Sequence, residues 1–81
     1  MEKRTGVIGI LVRQKEAVPI VNRLLSDYSS IILGRIGLPR PENGVSIISL
    51  IVEGSNDEIG ALTGKLGSLE GITGKSLLLT K

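Results

Sequence analysis

The 81 residues include no histidine, cysteine, tryptophan or phenylalanine, which excludes thiolate and imidazole metal sites, Cys or His nucleophiles and His acid–base catalysis. Tyr28 is the one aromatic, so the core must be aliphatic and thin, and a partner subunit is the expected further source of buried area. A net charge of +2 falls short of the basic footprint of an autonomous nucleic-acid binder, and no apolar run is long enough to span a bilayer. No charged-then-apolar leader opens the chain, so a cytoplasmic location with no membrane or direct nucleic-acid partner is expected.

Thr5 to Val12 is a nearly continuous run of β-branched residues and leucine, broken by Gly6 and Gly9, and reads as a central strand. From Glu16 to Tyr28, Ala17, Val18, Val21, Leu24, Leu25 and Tyr28 recur at helical spacing, with Asn22, Arg23, Ser26 and Asp27 on the opposite face. Pro19 falls early, where a first-turn proline is tolerated. Ser30 to Leu38 returns to strand character. Residues 39–44, with two prolines and an Asn-Gly pair, form a hairpin loop into a further strand, Val45 to Glu53. Ser55-Asn56-Asp57-Glu58 fits a capping box, and Ile59, Leu62, Leu66 and Leu69 give the apolar stripe of a second helix. Gly71 is a natural stop before a last strand, Ile72 to Thr80. The order βαββαβ specifies a single α+β domain over residues 1–81 with a ferredoxin-like fold: a four-stranded antiparallel sheet, strand order 4-1-3-2, with both helices on one face.

A sheet covered on one face should alternate apolar and polar residues, and the two central strands do not. Ile8, Ile10 and Val12 share one face of the first strand, and Ser46, Ile48, Leu50 and Val52 share one face of the third. Gly9 and Ser49 fall in the complementary sets, so the first sets are assigned to the helices. Val7, Gly9, Leu11, Val45, Ile47, Ser49 and Ile51 are then left on the open side. Monomers rarely expose so contiguous an apolar patch. A homodimer or homotetramer joined through this face or through an edge strand is therefore expected, unless outer strands or a tail fold over it.

Candidate ligand-binding residues are few. The topology is expected to gather Arg13, Lys15, Arg40 and Lys81 near the start of the first helix, a favourable place for an anion; the same four would equally serve as a solvated rim. Arg35 lies between Gly34 and Gly37, glycines that would let a ligand approach the strand closely, or it is a protective charge on a twisted edge. Gly60, Gly64 and Gly67 punctuate the second helix, which points to close approach of the sheet or a partner helix. Gly64-Lys65 lacks the remainder of a phosphate-binding loop. Asp57 and Glu58 are explained by the capping box, and no acidic pair stands out for acid–base or metal chemistry. The central strands carry no aromatics to stack RNA bases, and the first loop, Arg13-Gln14-Lys15, has neither a Cys-x-x-Cys nor a glycine-rich phosphate cradle. An enzyme is not expected, nor is a cofactor.

The segments Gly34-Arg35-Ile36-Gly37-Leu38-Pro39 and Ile59-Gly60-Ala61-Leu62-Thr63-Gly64-Lys65-Leu66-Gly67-Ser68-Leu69-Glu70-Gly71, with Val21-Asn22-Arg23-Leu24-Leu25 in the first helix, make the chain resemble the iron-only hydrogenase system regulators of anaerobic bacteria. The likeness runs essentially end to end. It implies an ACT-like ferredoxin fold similar to the C-terminal domain of the nickel-responsive repressor, a dimer or tetramer, and a role in [FeFe]-hydrogenase expression or maturation. The chain departs from that repressor in having no His or Cys for nickel and no ribbon-helix-helix segment for DNA. Two modes of regulation remain open: a small anionic or amino-acid-like ligand, or a hydrogenase-system protein held by a pure protein–protein interaction module.

Overall fold

Why the chain folds as it does follows from where its apolar residues repeat with period two and where with period three to four. A computed structural model describes residues 2–40, 42 and 44–80. Its elements are β1 (Arg4–Val12), α1 (Val18–Asp27), β2 (Ile32–Arg40), β3 (Val45–Gly54), α2 (Asn56–Gly67) and β4 (Ile72–Leu78). Pro41 and Asn43 of the expected hairpin loop, and Lys81 of the expected ligand set, lie outside the described residues.

The sheet is antiparallel with strand order β2-β3-β1-β4, the expected 4-1-3-2 read from the other edge. β1 pairs with β3 from Arg4↔Gly54 to Val12↔Ser46, and with β4 from Gly6↔Leu78 to Val12↔Ile72. β2 pairs with β3, and a register shift between Ile32 and Gly34 leaves Leu33 without a partner. The core is aliphatic throughout. Ile8, Ile10 and Val12 of β1 and Ile48, Leu50 and Val52 of β3 meet Val21 and Leu25 of α1 and Ile59, Leu62 and Leu66 of α2. Tyr28 only flanks it. The facing assigned from Gly9 and Ser49 is the facing observed.

Local chemistry sets the element ends. Pro19 has no N–H to offer the Lys15 carbonyl, which accepts instead from Val18 in a 3-10 turn over Lys15–Ala17. The α-helix therefore starts at Val18 and not at Glu16. At its other end, a second 3-10 turn, Ser29–Ile31, buries Ile31 against the core, so β2 begins at Ile32 and not at Ser30. The capping box forms: the Ser55 hydroxyl accepts from the Glu58 amide at 3.1 Å, and the Glu58 carboxylate accepts from the Ser55 amide at 2.9 Å. α2 ends at Gly67, four residues before the expected stop. Gly71 instead takes a left-handed conformation (φ 79°), and its carbonyl accepts from the Arg13 amide at 2.8 Å, tying the entry of β4 to the exit of β1.

Of the two readings of the helix glycines, close approach to the sheet is corrected by the structure. Close approach of α2 to the sheet occurs not at Gly60, Gly64 or Gly67 but at Gly74 of β4, where an added Cβ would meet the Leu66 Cβ at 3.1 Å. The three helical glycines face open space, on the side of α2 away from Ile59, Leu62 and Leu66.

Candidate functional site

The side of the sheet without helices carries the exposed apolar side chains Ile36, Leu38, Ile47, Ile51 and Leu77. Three cross-strand rows build this surface. Leu38, Ile47 and Leu11 lie side by side across β2, β3 and β1; Gly34, Ile51, Val7 and Leu77 form a parallel row across all four strands. Between them run Ile36, Ser49, Gly9 and Lys75. Ile47 and Ile51 are 40% and 43% exposed even though they sit on a central strand, and Ile36 on the edge reaches 72%. Residues 79–80 do not fold over the face: the Leu79 and Thr80 amides donate to the Thr5 carbonyl along the sheet's end.

Val7, Gly9, Leu11, Val45, Ile47, Ser49 and Ile51 thus share one surface, with Val45 opposite Arg40 at its end. Ile36, Leu38 and Leu77 join it from the outer strands and were missed in the sequence. The period-two run Gly34, Ile36, Leu38 was the available signal; using it requires the β2 register, which the irregularity at Leu33 obscures. Gly9 and Ser49 make the middle of the face shallow. An added Cβ at Gly9 would meet nothing within 4 Å, so no contact inside the chain requires a glycine there.

The basic residues do not converge. β4 runs antiparallel to β1, so the chain's last described residues lie beside Thr5, at the opposite end of the sheet from Arg13. The expectation that the C-terminus gathers with Arg13, Lys15 and Arg40 is corrected by that direction. Arg13, Lys15 and Arg40 do share an end, but their side chains turn apart. The Arg13 guanidinium donates to the Thr73 hydroxyl on β4, whereas Arg40 Nε donates to Glu42 at 3.2 Å beyond β2. Two strand spacings, about 10 Å, separate the β1 and β2 backbones. Arg35 and Gly37 lie on the other side of the sheet, at the registers of Leu50 and Ile48, and Arg35 Nη2 donates to Asn22 Oδ1 on α1 at 3.1 Å.

Between the helices, Ile20, Leu24 and Leu69 line a groove of about 320 Å³ edged by Arg23, Asp27, Lys65 and Ser68. Lys65 Nζ stands 5.2 Å from the Tyr28 ring centroid, and hydrogen bonding to the Tyr28 side chain, then its charge when ionised, pushes the ammonium above its ordinary pKa. Among the described residues no three His, Cys, Asp or Glu side chains group as metal ligands, and no helix is long and apolar enough to cross a membrane.

Residues 4–76 match the TM1266-like family, described as "Iron-only hydrogenase system regulator, putative". No curated protein matches the chain. The solved structure of the uncharacterized protein TM1266 from Thermotoga maritima is similar over 98% of this chain and 100% of that one, at 41% identity and a TM-score of 0.93. The ACT domain of the GTP pyrophosphokinase of Chlorobium tepidum shares the fold at 19% identity and a TM-score of 0.79, covering 94% of this chain and 100% of that one. The apo form of CPII from Thiomonas intermedia K12, a nitrogen regulatory PII-like protein, shares it more distantly, at 9% identity and a TM-score of 0.54, over 99% and 97% of the two chains. The fold is therefore ACT-like as well as ferredoxin-like.

Proposed function

Because this chain belongs to the TM1266-like family of iron-only hydrogenase system regulators, we propose that it acts as a non-catalytic regulatory unit of that system, a single ACT-like domain that self-associates through its open sheet face. One observation carries the reading: Ile36, Leu38, Ile47, Ile51 and Leu77 form a continuous apolar surface that nothing among the described residues covers. A second copy is the natural cover, since two-fold dimers, the commonest oligomers, pair one patch with itself. Regulation then runs through a small ligand or a hydrogenase-system protein bound to the assembled form. Arg13, Lys15, Arg35, Gly37 and Arg40 are the candidates for ligand contact; Arg35 and Gly37 stand apart from Arg13, Lys15 and Arg40.

Deleting the gene in its host and measuring hydrogenase activity and transcript level tests the role. A change in either, restored by the wild-type gene but not by an Ile47→Glu allele that accumulates to the same level, is the expected result. Hydrogenase levels indifferent to the deletion would contradict it.

A further inference from the structure

On the helix side of the sheet every inward position of the two central strands from Ile8 to Val12 and from Ile48 to Val52 is aliphatic. The edge strand breaks the pattern. At the register of Leu50, which is 0% exposed, β2 places Arg35. Arg35 stands exposed at the sheet's edge, and α1 supplies it one neutral acceptor, Asn22 Oδ1 at 3.1 Å. The ion pairs among the described residues are Glu2–Arg4 and Arg40–Glu42, so no described carboxylate lies within 4.0 Å of Arg35.

Asn22, Ser26 and Ser29 follow one another at spacings of four and three, which sets them along one flank of α1 and the turn after it. With Arg35, Leu25 and Ile32 they line a cleft of about 300 Å³, at the small end of the range for small-molecule sites. The free polar capacity of this cleft is donor-rich. The guanidinium has about four N–H groups beyond the one given to Asn22. Asn22 has its amide N–H pair free to turn outward, because an arginine can only donate and so takes its oxygen. Ser26 and Ser29 add hydroxyls. The Leu24 and Leu25 carbonyls at the end of α1 accept from the Tyr28 amide at 3.3 and 3.2 Å, the ordinary closing bonds of the helix, so the anion's grip rests on the side chains.

We propose that the cleft between α1 and β2 binds a small oxyanion, a carboxylate or a phosphate, gripped by Arg35 with Asn22, Ser26 and Ser29. A planar guanidinium holds two oxygens of such a group at once. Leu25 and Ile32 leave room for a short aliphatic substituent. This deepens the small-ligand form of the proposed function, and it places the ligand on the face of the sheet opposite the assembly surface.

Calorimetric titration and thermal unfolding with sodium phosphate and with sodium butyrate, against chloride of matched ionic strength, test the site. At least one probe should bind saturably and raise Tm. Phosphate as the better ligand identifies a phosphate monoester class, butyrate a carboxylate class. Arg35→Gln should weaken binding tenfold or more, while Arg23→Gln, the same charge change on α1 at the groove between the helices, should leave it unchanged. Asn22→Asp covers the case in which Arg35→Gln does not fold: a carboxylate beside Arg35 keeps the strand–helix tie and should abolish anion binding. Absence of saturation with both probes, equal losses in the Arg23 and Arg35 variants, or undiminished binding by Asn22→Asp would overturn the site. Light scattering on the same samples separates the two readings. Wild type that assembles but binds neither probe overturns only the cleft, and a monomer that binds overturns only the assembly.

Discussion

On the helix side of the sheet Leu50 and Val52 of β3 are 0% exposed; on the other side of the same strand Ile47 and Ile51 are 40% and 43% exposed. The side chains are of the same kind and sit on the same central strand, so composition does not distinguish the faces. What differs is cover. α1 and α2 supply it on one side, and among the described residues nothing supplies it on the other. Each open-face isoleucine retains apolar area that would stabilise an assembly at about 25 cal/mol per Å² once removed from water. A chain whose aromatic content is a single tyrosine has little other area to bury.

Truncating the two faces should give unlike outcomes, and the core truncation is the largest expected effect. Leu50→Ala should lower unfolding free energy by about 2–5 kcal/mol, because Leu50 is fully enclosed and its removal leaves a cavity. Ile51→Ala, one residue away, should cost far less in the dissociated chain and show its effect as concentration-dependent unfolding. Denaturant titrations at two protein concentrations check both.

Glycines sharpen the same contrast. A Cβ at Gly6 would stand 2.6 Å from the Leu77 carbonyl oxygen, so Gly6→Ala should destabilise by about 1–3 kcal/mol through forced backbone shift. Gly9→Ala meets open space within the chain. It should leave monomer stability near wild type and weaken self-association, a difference read by comparing unfolding curves with sedimentation.

Smaller effects belong to the helical layer. Ser55→Ala removes half of the capping box and should cost about 1 kcal/mol in chemical denaturation. Gly64→Ala should stabilise by up to about 1 kcal/mol, since the Cβ meets nothing and the helix gains a better former. Lys65 gives the smallest signal. Its pKa is raised in the folded state, so its contribution is complete below the ordinary lysine value and is lost as pH climbs through the folded one. Stability of wild type should fall slightly more than that of Lys65→Met across strongly alkaline pH.

Much of this was legible in the residues, for reasons that are local. The capping box and the stripe Ile59, Leu62, Leu66 need only spacing to be read, and the facing of β1 and β3 follows from one glycine and one serine at matching positions. The outer strands were harder. Ile36, Leu38 and Leu77 join the open face through a register set partly by the irregularity at Leu33, a feature with no composition of its own. The end of the sheet at which the chain finishes was misplaced although the strand order contains it: a β4 antiparallel to β1 must return to Thr5. The partnership of Arg35 with Asn22 depends on α1 lying over the edge strand at one particular height, which residue spacing does not specify.

The central claim is that the open face is a surface between copies of this chain, and light scattering of wild type beside Ile47→Glu tests it most directly. A wild-type mass of two or four times the chain's 8.6 kDa, falling to one chain in the variant with the helical signal intact, is the predicted result. A wild type that remains at the mass of one chain across the concentration range, or an Ile47→Glu variant that assembles as well as wild type, would contradict it.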